Sequence, residues 1–250
     1  MTKENEAIKF LSKDWFISNL KTIIYAILIA LLIRTLLFQP FFIPSSSMAP
    51  TLLVGDRIFV SKYSYGYSKH SFPFSLPILS KRILFSEPQR GDVLVFKTPD
   101  ERKIDYIKRL IGLPGDTIQM IEGDLFINEK VVKKEKIRND QKILKNGRVV
   151  EIGVFLEILE NDKSYETYSY YEDGPADNTP KIVVPEGHYY MLGDNRDNSK
   201  DSRFIGSIPM NNLVGRAEII FFATKDGSTI LEFWKWPFGI QYKRLLNFIN

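Results

Sequence analysis

Between Lys21 and Phe38 the chain carries almost nothing but apolar side chains, and a stretch of that kind has few fates. From Thr22 to Ile33 every residue except Thr22 is apolar or tyrosine, and Arg34, Thr35 and Leu36-Leu37-Phe38 follow. Counted over 21–38, the run is about the minimum for a membrane-spanning helix, which needs roughly 17–25 residues. Arg34, near one end, can reach the headgroups by snorkelling and does not veto a span. Lys3, Lys9, Lys13 and Lys21 precede the run, whereas only Arg34 and Arg57 lie on or close after its far end. The positive-inside rule therefore predicts a short cytoplasmic N-terminus (1–20) and a long remainder outside. A cleavable signal peptide competes with this reading, and Ser45-Ser46-Ser47 even offers a small-x-small pattern. The run is longer than a signal core of about 7–15 residues, and the bulk of Pro40-Phe41-Phe42-Ile43 crowds the cut. A retained anchor is expected.

Of 250 residues, enough remain beyond the anchor for a folded unit of about 200 residues. Its many Val, Ile, Phe and Tyr residues favour strands. Cysteine is absent, which excludes disulfide frameworks, zinc ribbons and thiol catalysis. The net charge of +4 is modest and shows no concentrated basic face, so no nucleic-acid partner is expected.

Just past the anchor comes Phe41-Phe42-Ile43-Pro44-Ser45-Ser46-Ser47-Met48-Ala49-Pro50-Thr51-Leu52. Pro44 and Pro50 fix φ and remove two donors, and each pushes its predecessor toward an extended conformation. The serines are therefore expected on a stiff, extended segment. A solvated serine linker is the bland alternative. The apolar flanks argue against it and suggest a nucleophile beside a lipophilic groove.

Farther on, Arg57–Val60, Val93–Phe96, Ile104–Ile111, His188–Leu192 and Ile219–Phe222 read as strands. Lys62–Ser86 has no period and reads as a loop against the membrane surface. Leu113-Pro114-Gly115-Asp116 has the signature of a type II turn. Over 117–185 the character changes: Lys130–Arg148 is basic and Glu151–Asp177 acidic. Two strand-rich halves of opposite charge can lie side by side, so this region is expected to be a smaller β-rich unit inserted into the first. Phe233–Phe238 with Lys243 and Arg244 forms an aromatic, basic tail suited either to a bilayer interface or to the core.

A serine nucleophile needs a base. His70 is expected to be exposed in the unpatterned loop, and His188 to be packed or hydrogen-bonded in its strand; a Ser-His-Asp triad with either has no local motif behind it. The other available base is a neutral lysine amine. Strand alternation points Lys108 to the face of Tyr106 and Leu110, where burial would lower its pKa, and points Arg109 to the opposite, solvated face. A salt-bridged edge lysine is the plainer alternative. The polar loop Gly193–Arg203 fails the EF-hand pattern, with Arg196, Ser199 and Ile205 at positions that need other residues. Neither a metal nor another cofactor is expected. The loop reads instead as a scaffold in which Asp201 pairs with Arg203 while Ser199 orients the amine.

Four stretches together resemble the bacterial signal peptidase I family: Pro44–Leu52, Arg90–Phe96, Asp105–Arg109 with Gly112–Asp116, and Gly193–Arg203. The resemblance implies a mainly β protein: an N-terminal transmembrane helix (21–38), a partly barrel-like catalytic domain (39–116 and 186–250) and an inserted smaller β-domain (117–185). It implies a membrane-bound serine endopeptidase that cuts secretory precursors after small-x-small motifs, with Ser47 as nucleophile and Lys108 as general base. The Ser45 hydroxyl and the Ser47 N–H would form the oxyanion hole. Ser199 would position the lysine, and Asp201 with Arg203 would stabilise the site. Ile43, Met48, Leu52, Tyr106 and Ile107 would line shallow pockets, with Phe41 added to one of them. The implied partners are signal peptides and membrane lipid. The implied setting is a monomer in the bacterial inner membrane, with its catalytic domain on the periplasmic side. Many relatives carry glycine where Ser46 stands, which costs little if φ there stays negative; some carry a second span, and here one is found. A non-enzymatic envelope assembly protein and a Ser-His hydrolase using His188 are the alternatives.

Overall fold

A computed structural model of the chain describes residues 13–100, 103–143, 149–170, 174, 176–225, 227 and 232–249. Lys3 and Lys9, on which part of the orientation argument rests, lie outside the described residues. Lys13–Leu36 forms one continuous helix, α1. Its segment Trp15–Leu36, 22 residues of mean hydropathy 2.1, has no part buried against the rest of the chain. At 1.5 Å per residue it is about 33 Å long, matching a hydrocarbon core of about 30 Å. Among the described residues it is the one helix long and apolar enough to cross a membrane. It reaches back past the expected 21 because lysine is a good helix former and isolated charges do not stop helix propagation. It stops short of 38 because Phe38 already pairs in a sheet.

The strands β1 (Phe38–Phe42) and β2 (Asp56–Ser61) pair antiparallel, with Phe38 opposite Ser61 and Phe42 opposite Arg57. The next two are β3 (Val93–Lys97) and β4 (Asp105–Gly112). Then come β5 (Thr117–Ile121), β6 (Asp124–Ile127), β7 (Lys130–Val131) and β8 (Lys133–Ile143). β9 (Val149–Ile158), β10 (Ser164–Ser169) and β11 (Ile182–Val183) follow. The last four are β12 (His188–Leu192), β13 (Ile208–Pro209), β14 (Leu213–Ala223) and β15 (Asn247–Phe248).

The main sheet runs β1-β2-β14-β3-β4-β12-β13, with β15 also on β14. Register shifts where β14 meets β2 and β3 are bulges, which sharpen the twist and curl the sheet into a half-barrel. β4 and β12 are neighbours in space, yet β5 to β11 lie between them in sequence and form two further sheets, β11-β5-β6-β7 and β10-β9-β8. The crossing begins at the turn expected from Pro114-Gly115: Asp116 N–H donates to Leu113 O at 3.0 Å, and Gly115 has φ +86°.

Opposite charges do meet across the three-stranded sheet, where Arg138 on β8 reaches over β9 to donate to both oxygens of Glu166 on β10, at 2.7 and 2.6 Å. These sheets share their core with the main one: Ile118, Met120, Leu125 and Tyr165 pack with Ile111, Tyr190 and Leu192. A second cluster gathers Ile43, Met48, Leu52, Ile58, Val60, Val93 and Val95 behind the serine segment. The loop 62–86 contains only short single turns and an isolated Tyr67–Ile83 bridge. His70 corrects its expectation, being buried and not exposed, because its Nδ1 meets Ser75 Oγ at 2.9 Å as the loop folds over it. In the C-terminal tail Trp234 is exposed, whereas Trp236 is half-buried and packs on Phe222 with ring centroids 5.2 Å apart.

Candidate active site

The segment carrying the serines is a closed loop between β1 and β2. Ile43 N–H donates to Asp56 O and Gly55 N–H returns to Ile43 O, at 2.9 and 3.1 Å. Within it the chain coils where an extended segment was expected. Ala49 N–H donates to Ser46 O at 3.1 Å and Leu52 N–H to Met48 O at 2.8 Å. The correction has a simple cause: each proline restricts only the residue before it, which leaves Ser45–Met48 free to turn. Ser46 has no positive φ, so a serine costs little there. The turn drives Met48 and Leu52 into the core and brings Ser47 toward β4.

Lys108 lies in β4 opposite Leu94 of β3. Its Nζ donates to Ser47 Oγ at 2.7 Å and to the carbonyl of Ile107 at 2.8 Å. As alternation predicted, it shares a face with Tyr106, whose ring centroid is 5.3 Å from the amine. Both partners of the amine are neutral and the side chain is buried, so the charged form is poorly solvated. Burial pushes Lys108 down from 10.5 to about 8, against an opposing pull from the Asp201 and Asp194 carboxylates.

Arg109 overturns the expectation of a solvated side chain. It is 1% exposed, its Nε donates to Asp194 Oδ1 at 2.9 Å and its Nη2 to Oδ2 at 2.8 Å. Gly91 O and Thr51 Oγ1 accept its remaining donors, and Thr51 in turn donates to Asp194 at 2.5 Å. Alternation assigns a face, but both faces of this strand are covered, one by the serine loop and the other by the loop after β12.

That second loop also grips the serines directly. Asn195 N–H donates to Ser47 O at 3.1 Å, its Nδ2 to Ser46 O at 2.9 Å, and Asn198 Nδ2 to Ser46 Oγ at 2.8 Å. Neither asparagine was singled out from the sequence, although both lie inside the polar run that was. Asp201 pairs with Arg203 through two bonds of 2.9 Å and accepts from Gly193 N–H at 3.0 Å. Ser199 Oγ is buried with no hydrogen-bond partner among the described residues, so no bond to the lysine accompanies its expected role. A Cβ on Gly193 would lie 2.2 Å from Ser199 Oγ and 2.6 Å from Ser47 O, so only glycine fits between them.

A groove of about 590 Å³ opens over Ser47 and Lys108. Phe41, Ile43, Tyr106 and Ile107 line it as expected, together with Ser45, whose Oγ is 3.4 Å from Ser47 Oγ. Met48 and Leu52 do not line it; wholly buried, they back its floor. His188 stands apart, with its Nδ1 at 3.0 Å from Glu186 O and its strand partner Pro209. The arrangement therefore supplies a hydroxyl, an amine whose charged form is disfavoured by burial and an apolar channel leading past both.

Comparison with known proteins gives a consistent result. The profile of the family described as "Signal peptidase, peptidase S26" matches residues 16–222. A signal peptidase I of Rickettsia canadensis (strain McKiel) is 41% identical over 226 residues, covering 87% of this chain and 82% of that protein. One from Rickettsia conorii is 43% identical over 215 residues, covering 80% and 77%. A solved signal peptidase I from Enterococcus faecalis V583 shares 29% identity over 52% of this chain and 97% of its own, with a TM-score of 0.31.

Proposed function

Because this chain belongs to the signal peptidase family, peptidase S26, we propose that Ser47 and Lys108 are the pair with which it removes signal peptides from secretory precursors. The observation that carries the assignment is the 2.7 Å contact between Lys108 Nζ and Ser47 Oγ in a site that disfavours the ammonium. With a pKa near 8, about a tenth of the amine is neutral at pH 7 and able to accept a proton. Ser47 Oγ attacks the scissile carbonyl while Lys108 takes its proton, and the tetrahedral intermediate expels the new N-terminal amine, which leaves with that proton. Water then attacks the ester, with Lys108 as base again, and releases the signal peptide.

The Ser45 hydroxyl and Ser47 N–H are the oxyanion donors, a reading supported by their position at the lip of the groove. Ser199, whose buried hydroxyl has no hydrogen-bond partner among the described residues and is free to bond the amine, positions it. The Asp201–Arg203 pair holds the loop that carries Ser199. Phe41, Ile43, Tyr106 and Ile107 form the shallow pockets that select small residues before the cut, and Met48 and Leu52 fix their depth.

The chain is a single-pass membrane protein. In our reading it sits in a bacterial inner membrane with the residues before Trp15 cytoplasmic, Trp15–Leu36 in the bilayer and the rest periplasmic, and it acts as a monomer in contact with lipid. Residues 39–116 and 186–250 make the catalytic domain and 117–185 the inserted one. The test is incubation of the full chain in detergent with a secretory precursor. Mature product is expected from wild type and none from Ser47→Ala; equal cleavage by both would refute the assignment.

A further inference from the structure

A second cavity, of about 450 Å³, adjoins the substrate groove at Phe41 and Asp105 and carries a different chemistry. Its wall brings together Arg34 from the last turn of α1, Lys69 from the turn at 69–71, Lys97 from the end of β3 and Lys103 from the approach to β4. Asp105 is the one carboxylate among its described lining residues, and it is held by Lys97 at 2.9 Å. Arg34 and Lys69 have no acidic partner among the described residues. His70 adds no charge near neutral pH, since burial pushes it down to about 4.

Four cations converging on one hollow from four separate segments, with a single carboxylate between them, leave an uncompensated positive field. On the neighbouring Lys62, burial is the main cause that lowers it to about 8, Asp105 opposes this, and Arg34, Lys97 and Arg82 each add to the lowering. Such a hollow suits a singly charged phosphodiester, whose two free oxygens can accept from a guanidinium and from ammonium groups together.

Two observations choose the source of that phosphate. Arg34 stands near the end of the Trp15–Leu36 span, so the cavity opens where the helix leaves the hydrocarbon. The loop that supplies Lys69, Phe72 and Pro73 to the wall continues into Leu76 and Ile78, large apolar side chains left exposed. An anion-binding hollow with an apolar rim at that depth fits a molecule that has both a phosphate and acyl chains. We propose that the cavity formed by Arg34, Lys69, Lys97 and Lys103 binds the headgroup phosphate of an anionic phospholipid beside the substrate groove. The proposal rests on α1 spanning the bilayer.

The full chain, reconstituted into phosphatidylcholine vesicles containing a minor fraction of phosphatidylglycerol, is extracted in mild detergent and its retained lipid read by native mass spectrometry. Wild type is expected to carry phosphatidylglycerol in preference to phosphatidylcholine. The Lys69→Gln/Lys103→Gln double variant is expected to lose that preference by on the order of tenfold, as removal of two surface cations implies. The variant should cleave a short peptide at the wild-type rate, which shows that it is folded. Equal retention of phosphatidylglycerol by variant and wild type would overturn the site, and so would retention of either lipid without preference. Displacement of the lipid by millimolar inorganic phosphate would make this a free-phosphate site and refute the lipid assignment. Alkaline carbonate treatment of the vesicles separates the two readings. Release of the chain would overturn the span and the lipid site together, whereas a chain that stays without enriched phosphatidylglycerol overturns the site alone.

Discussion

Arg109 and Asp194 face one another through two hydrogen bonds, of 2.9 and 2.8 Å, with both side chains 1% exposed. One residue away in the same strand, Lys108 is nearly as buried but meets only a hydroxyl and a carbonyl. Two adjacent cations therefore meet opposite fates. Arginine is held charged by the carboxylate that comes with it, whereas no carboxylate touches the lysine and burial lowers it to about 8.

Removing one partner of the Arg109–Asp194 pair leaves an uncompensated buried charge. Asp194→Ala is expected to destabilise the folded chain by about 3–5 kcal/mol, whereas Arg109→Met/Asp194→Leu together cost much less. Urea denaturation of the full chain in detergent checks both; equal losses would show that the pair is not the source of the effect.

The second prediction concerns the pair in the groove. Ser47→Ala and Lys108→Ala should each lower precursor cleavage by at least about a thousandfold while circular dichroism stays unchanged. His188→Gln should cleave normally, since its ring serves only the Glu186 carbonyl. Loss of activity in His188→Gln with retention in Lys108→Ala would reverse the assignment of the base.

Ser45 lines the groove, and its hydroxyl stands 3.4 Å from that of Ser47. Ser45→Ala is expected to lower kcat by about a hundredfold with little change in KM, the pattern of a donor that acts only on the transition state. A rise in KM at constant kcat would make Ser45 a substrate contact instead.

Gly193 is packed between Ser199 and the carbonyl of Ser47, with no room for a methyl group. Gly193→Ala should displace both, and kcat/KM should fall by about two orders of magnitude, because small misplacements of reacting groups are costly. A steady-state assay with near-wild-type kcat/KM would show that the loop yields elsewhere.

Much of this was legible in the sequence, for identifiable reasons. The anchor, the strands around Val93 and Tyr190 and the turn at Pro114-Gly115 rest on local signals: length, alternation and a residue needing positive φ. The Lys108 face also follows from alternation. Arg109 was misjudged because alternation says which side of a strand a residue takes, not whether another loop covers that side. His70 failed for the same reason, since an unpatterned loop can still fold over its own residues. Asn195 and Asn198 were hidden because their partners, the carbonyl and the hydroxyl of Ser46, lie in a loop about 150 residues away in sequence, a proximity that only the sheet order creates. Met48 and Leu52 were placed one layer too high, since the turn at Ser47–Thr51 cannot be read from residue types that favour extension.

Titration of the Lys108 amine is the most direct test of a neutral lysine base. The full chain, labelled with 13C at lysine Cε and held in detergent, is followed by NMR, with Lys108→Met identifying the signal. The neutral form is the active one, so the amine gains competence as pH rises and loses it by protonation below the midpoint. The expected midpoint is near 8, with kcat/KM rising through the same range to a plateau. A midpoint near the ordinary 10.5, with kcat/KM already flat below pH 8, would contradict it.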